Sequence, residues 1–582
     1  RSHAKAVDTL GPLVDHINQE GESSEFIDAL IMLGRSNQSL GKFQEAEVAM
    51  SRYLALRPKG EQADQALATR AIAHARLGQD GQTESDLRSL MIEHAGSPLI
   101  GPTAQELAEL AYARKDWAGA SKLFAVMIGQ DPKTKLHAAG LSGRAWSYYQ
   151  QKNFAEAAAD FSKLIADHPE DSLAPEANYM QGECLKDSGQ AEEAVRVLTL
   201  AFNKYAPAEP SNAKLNDKEP AKFAYLAGLS AARILRTQKK NAEADAAYEK
   251  VTSRFPKADQ LDQVLNEWAL FNGDLQNFPR SDEIYRRLVK DFPESTFADN
   301  ALLSLGESEL EAGKLDVASK AFRELLARPG ADEKVREASL FHLCGIGVEQ
   351  RKWKEVIADA GSFATVFPQS PRRAELEFYL AEGHVHENQF DGARALLEKL
   401  KTEVGEKLDA KSPPWQPRIW VLLAETFLQL KRYDDVVATV EDLRKRDSKS
   451  PWLYQADEVL GRAYKNQAKF DEARAAFQRV IDDSTGQKTE TAAKSQFLAA
   501  ETYMLQKNYK EAQEAYLRVY HLYKFPDWQA PALFQAAACD EMLNQWPSAV
   551  KTYEDLIREF ANHEFAAKAK PRLDVARTKA AG

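Results

Sequence analysis

Cysteine is scarce in this chain: three residues in 582. Cys184, Cys344 and Cys539 lie far apart, and their number and spacing exclude a disulfide framework. Small buried core residues are their expected role, the commonest fate of free cysteine. So few thiols fit a reducing or an oxidising compartment equally. Long hydrophobic runs are missing too, and no stretch approaches the ~18–20 apolar residues of a spanning helix. Positive charge is in deficit, with a net charge of −11. That argues against a nucleic-acid binder, which needs a basic face for phosphates, and against an anionic membrane surface. Catalytic signatures are absent as well: there is no phosphate-cradling GxxxxGK, no GxGxxG, no HExxH and no CxxC. His384 and His386 are two apart and point to different faces of a helix. His342 and His384 fall in consecutive repeats but bring no third ligand. No enzyme, metal or cofactor is expected. The chain begins at Arg1 rather than Met, which predicts processing or truncation and leaves room for a targeting segment upstream.

What the chain does have is a period. A hydrophobic–small–turn–hydrophobic pattern returns about every 34–37 residues, roughly fourteen times, from near Phe26 to near Phe560. With 44% hydrophobic and 28% charged residues the composition is that of a folded protein. Its length is too great for one compact core, but a repeat array grows in one dimension. In the stretch from Gly140 to Pro169, Leu141, Arg144, Ala145 and Tyr148 mark one helix face. Lys152 and Asn153 make the turn, and Phe154, Ala157, Phe161 and Leu164 mark a second helix that Pro169 stops. The same frame fits Gly34 to Pro58, Gly306 to Leu325 and Gly461 to Val480.

Each slot has a physical role. A small residue on the first helix (Gly34, Ala145, Gly182, Gly306, Ala381, Gly461) admits its partner helix closely. An alanine early in the second helix (Ala46, Ala157, Ala318, Ala393, Ala473) is the other side of that contact, where a larger side chain would overpack. An aromatic just after the turn (Phe43, Trp117, Phe154, Phe278, Trp353, Phe390, Tyr433, Phe470, Tyr509, Trp546) is expected to wedge between the helices and dominate local stability.

These recurring slots resemble the tetratricopeptide repeat family over nearly the whole chain. The resemblance implies an all-α, right-handed superhelical solenoid of about fourteen helix-turn-helix repeats. The family pattern puts Trp and Tyr in the first helix, where this chain often has Leu, Ala or polar residues. Many repeats end in an aromatic and a proline, with a serine opening the next helix, as in Phe292-Pro293-Glu294-Ser295 and Phe367-Pro368-Gln369-Ser370. The serine is expected to cap that helix. Pro98, Pro371 and Pro451 are expected at the first helical position. This punctuation is similar to bacterial cell-envelope tetratricopeptide proteins of the outer-membrane assembly and Tol-Pal type, which implies a periplasmic or envelope adaptor, with a cytoplasmic location as the alternative.

Two proline-rich stretches break the frame. The organisation reads as an N-terminal helix over 1–25 (its amphipathic part spanning 3–18), repeats over 26–205, a loop over 206–222, repeats over 223–401, a loop over 402–417, repeats over 418–562, and a capping helix over 563–582. Trp420 falls on a core face, whereas Trp415 is placed in the loop as a contact anchor. Tyr516, Tyr520 and Tyr523 fit core slots and leave Trp528 over, in the loop that follows.

In tetratricopeptide proteins the first helices line the concave surface. The groove-facing slot here holds Glu109, Glu183, Glu307, Glu382, Glu425 and Glu501, with Arg35, Arg233 and Arg462 as exceptions. Such a carboxylate ladder would focus a negative potential and recruit a basic segment; as plain helix formers on a solvated face, the glutamates need no such role. Trp146 and Tyr149 project the same way, as hot spots or as packing against the adjacent repeat. The expected function is a non-catalytic scaffold presenting a concave groove to a protein or peptide partner. The alternative is a structural subunit that assembles, with itself or others, through its loops and terminal repeats.

Overall fold

The computed structural model describes residues 2–20, 25–212, 215, 219–404, 408 and 411–581. Among them are thirty-one helices and no strand. Twenty-eight helices form fourteen pairs, from Ala29–Ser39 with Phe43–Leu56 to Pro526–Met542 with Trp546–Glu559. Helix Glu564–Ala581 follows the last pair. The chain begins with two helices, Ser2–Leu10 and Leu13–Glu20, where one was expected. Gly11 and Pro12 divide them: proline has no amide proton to continue the ladder and its ring crowds the preceding turn.

Every pair turns in one way. The residue two places before each second helix has positive φ, from Gly41 (74°) through Lys152 (61°) and Gly313 (73°) to Asn544 (58°). In the turn after helix Lys135–Gln150 the Lys152 amide donates to Tyr149 O, and the Asn153 amide donates to Tyr148 O at 2.9 Å. These are the two bonds of a Schellman ending, which satisfy the last carbonyls of the first helix. Only four of the fourteen positions are glycine. Elsewhere a lysine, glutamine, asparagine, arginine or alanine accepts the left-handed conformation because the two bonds hold it there.

Between repeats the punctuation works differently from expectation. Helix Ile100–Ala113 starts two residues after Pro98, and helix Arg373–His386 two residues after Pro371. The prolines are not the first helical residues. They sit second in a tight turn closed by Ile100 N to Ser97 O and by Arg373 N to Ser370 O, the place in a turn where a fixed φ near −65° fits. The serines stand ahead of the helix caps and serve this turn: Ser370 Oγ accepts from Arg372 N at 3.0 Å.

The alanines early in the second helices, Ala46, Ala157, Ala318, Ala393 and Ala473 among them, are fully buried. The aromatics after the turn are not. Trp117, Phe154, Trp353 and Tyr433 are half-buried, and Phe278 is 51% exposed. They lie at the helix start, on the edge of the packed layer, and cover the turn: Trp353 stacks on His386 at 4.0 Å. The wedge is two helical turns further on, at Phe161, Phe322, Phe477, Tyr516 and Tyr553, all fully buried. The three cysteines are buried. Burial pushes the Cys184 and Cys539 thiols up to about 12, which leaves them unreactive.

The chain comprises two compact units, residues 1–288 and 289–582. Within each, packing runs mainly between helices next or next but one in chain order, and helix Ser2–Leu10 packs on helix Ala29–Ser39. The first has a large core around Leu141, Phe161, Cys184 and Leu198. The second has one around Phe378, Trp420, Leu423 and Val440. Trp420 Nε1 donates to Asp442 Oδ2 at 2.8 Å. Burial opposes the charge on Asp442, but bonds from Trp420, Lys401 and Arg446 outweigh it and bring its pKa down to about 2.

Both proline-rich stretches are shorter than expected. Pro220 opens helix Pro220–Thr237, and Trp415 opens helix Trp415–Gln429; proline is tolerated there because the first-turn amides have no helical acceptor. Positions 213, 214, 216–218, 405–407, 409 and 410 of these stretches lie outside the described residues.

Candidate protein-binding face

The six glutamates of the expected ladder all lie on first helices, but they do not form a bare carboxylate stripe. Glu382 Oε1 accepts from Arg418 at 2.5 Å, and Glu425 Oε2 from Arg462 at 2.7 Å. Glu501 pairs with Lys465, and Glu183 with Lys186 and the Ser230 hydroxyl. Glu307 meets His342 Nε2 at 3.1 Å. The Glu307, Glu382, Glu425 and Glu501 pairs each join first helices of adjacent repeats, 35 to 37 residues apart. The arginine exceptions follow the same logic: Arg233 reaches Glu267 at 2.7 Å, and Arg35 reaches Gln65 at 3.3 Å. For Glu307, Glu382, Glu425 and Glu501 the partner is a basic residue one repeat away, a signal that reading each repeat by itself passes over.

Glu109 is different. It is exposed, and Gln105 Nε2 donates to it at 2.9 Å. No ion pair engages it among the described residues.

The structure brings Glu109 together with Trp146. Both line a cavity of about 450 Å³ with Tyr112, Ala113, Phe124 and Gly143. Helix Ile100–Ala113 supplies Glu109, Tyr112 and Ala113, helix Trp117–Ile128 supplies Phe124, and helix Lys135–Gln150 supplies Gly143 and Trp146. Gly143 keeps the floor open: a Cβ there would lie 2.4 Å from Phe124 Cε1. Trp146 is half-buried and held edge-on by Tyr149 at 5.7 Å and by Phe161 at 6.2 Å. Tyr149 packs on Phe154, and its hydroxyl reaches Asp187 Oδ2 at 3.4 Å. It props Trp146 from behind and is not among the residues lining the cavity. Tyr112, Phe124 and Gly143 escaped the sequence reading; a glycine inside a helix, one turn before a tryptophan on the same face, was the available sign.

Two expected anchors are placed otherwise than in loops. Trp415 is the first residue of its helix and is half-buried, its ring 6.0 Å from Phe378. Trp528 lies in the first turn of helix Pro526–Met542, 5.7 Å from Phe497, and its Nε1 donates to Glu490 at 3.0 Å. Each ring finds a neighbouring repeat to cover it, so neither stands free. Tyr516 and Tyr523 are buried as expected, whereas Tyr520 is half-exposed and donates to Glu559 at 2.6 Å.

Paired helices in series, Schellman turns in register and first helices linked by repeat-spaced ion pairs define an α-solenoid. Three stretches of the chain match tetratricopeptide family models: residues 347–497 match a tetratricopeptide repeat-like domain, and residues 142–209 and 531–563 each match a tetratricopeptide repeat. No curated protein matches the chain. Among solved structures, Naa15/Naa10 bound to HypK-THB is similar at 12% identity, with 99% of this chain and 96% of that chain covered and a TM-score of 0.36. The APC/C hetero-tetramer Cut9-Hcn1 is similar at 16% identity, with 98% of each chain covered and a TM-score of 0.33. Yeast Tom70 is similar at 14% identity, covering 83% of this chain and 96% of that one, with a TM-score of 0.29. Among the described residues no helix is long and apolar enough to cross a membrane.

Proposed function

We propose that the chain is a non-catalytic scaffold that holds a protein partner on its first-helix face, through an extended segment carrying positive charge. The observation that carries this reading is the Glu109–Trp146 cavity: a preformed aromatic recess beside an exposed carboxylate, on helices already fixed by their neighbours. Rigid presentation lowers the ordering cost on the scaffold's side of the interface. Site-specific photocrosslinking in native extract tests it, with the crosslinker at the exposed Ala113, which lines the cavity beside Glu109 on a first helix, and at the exposed Lys122 on a second helix. A partner captured from position 113, not from 122, and lost when Arg replaces Glu109 supports the reading. Capture only through the proline-rich stretches or the chain ends sinks it and favours a structural subunit. The Phe-Pro-x-Ser punctuation supports a cell-envelope setting for the complex. Fractionation of the source cells checks that part, and recovery with cytosolic markers rejects it.

A further inference from the structure

The Glu109 cavity has a composition that selects its occupant. Its walls are three aromatic rings, Tyr112, Phe124 and Trp146; Ala113 and Gly143 complete the lining, and the carboxylate of Glu109 is its charged group. The other five glutamates at the same repeat slot each meet a lysine, an arginine or a histidine. Glu109 alone of the six is left with a neutral glutamine. Nearby cations are engaged elsewhere: Arg144 with Asp160 at 2.7 Å, Arg76 with Glu106 at 3.4 Å, and Arg114 with Asp80 at 3.5 Å. The repeat pattern has thus left one position where the cation is not supplied by the chain.

We propose that this cavity receives a long cationic side chain, lysine or arginine, from the partner's extended segment. The proposal rests on the scaffold reading and adds the contact that gives it specificity. The methylene stem lies along the aromatic walls, as such stems do on apolar surface, and the charged head sits where ring faces and the Glu109 carboxylate both attract it. An acidic side chain would be repelled there. An apolar one would strip water from Glu109 without replacing it. About 450 Å³ is room enough for such a side chain.

The test is selection of phage-displayed random dodecapeptides on the full chain, followed by synthesis of one enriched peptide. Lysine or arginine should be enriched. A photo-leucine beside the basic residue should crosslink to the helices bearing Tyr112 or Trp146. Glu109→Gln should weaken the peptide at least about fivefold, with the melting curve unchanged because Glu109 is exposed. Norleucine at the basic position should cost wild type as much and cost Glu109→Gln little more. Peptides without a basic residue, or equal binding to wild type and Glu109→Gln, overturn the proposal. Crosslinks to first helices of other repeats overturn the cavity assignment yet leave the scaffold reading standing. Crosslinks to second helices alone, or no enriched peptide, reject both.

Discussion

Gly461 and Gly345 both sit inside first helices, yet they differ in what a methyl group would meet. At Gly461 a Cβ would lie 2.4 Å from Phe477 Cε1, and Phe477 is fully buried and cannot yield. Gly461→Ala should cost about 1–3 kcal/mol by overpacking. At Gly345 nothing lies within 4 Å, so Gly345→Ala should gain up to about 1 kcal/mol from helix propensity. Urea unfolding of both variants checks the pair; equal shifts would mean that the helix contact is soft. The paired glutamates respond by the same logic of local surroundings. Glu382 is 7% exposed, and Glu382→Gln removes the charge that balances Arg418. A loss of about 1–2 kcal/mol is expected, toward the low side because Arg418 keeps some solvent and its contacts with Phe378 and Trp452. A denaturation midpoint unchanged from wild type would show that the pair is neutral. The ladder therefore reads as repeat-to-repeat fastening, with Glu109 as its exception.

The turn is the element that makes each repeat, and ten of its fourteen left-handed positions are not glycine. A Cβ in that conformation costs roughly 1–2 kcal/mol, part of which glycine's extra freedom in the unfolded chain offsets. Ala468→Gly should then stabilise by up to about 1 kcal/mol, and Gly313→Ala should destabilise by a similar amount; thermal melting reads both, and opposite signs would refute the strain argument. A second element-level feature is the histidine pair that joins helix Lys135–Gln150 to the end of helix Phe154–Asp167, with His137 Nδ1 2.9 Å from His168 Nε2. Burial, then the charge of His168, lowers the pKa of His137 below its ordinary value of 6.5. The unfolded chain therefore binds more protons than the folded one below that value. Stability is whole above about pH 6.5 and is lost as pH falls through the lowered folded value. Unfolding midpoints between pH 7.5 and 5.5 should fall, and fall less in His137→Gln; identical slopes would remove His137 as the cause.

On the scale of the whole molecule, packing runs between helices close in chain order, so damage should stay local. Phe322→Ala empties a fully buried slot in the second unit, at a cost of about 3–5 kcal/mol if the site does not collapse. Hydrogen exchange should accelerate in helices Phe297–Glu311 and Leu315–Leu326 while helix Trp546–Glu559 keeps its protection. Uniform acceleration through the unit would show that it unfolds as one cooperative body.

The sequence by itself determined the helix pairs, their number and the small-residue contacts between them, because a repeated pattern states the same local physics fourteen times. It also placed Glu109 and Trp146 on neighbouring first helices. Only tertiary structure decided which glutamates keep their charge free, since that depends on a residue one repeat away. The same holds for Trp415 and Trp528, which read as loop residues until a neighbouring helix covers them. It holds for the wedge aromatics too: composition marks Phe154 and Phe161 alike, and depth in the packed layer alone separates the half-buried ring from the fully buried one.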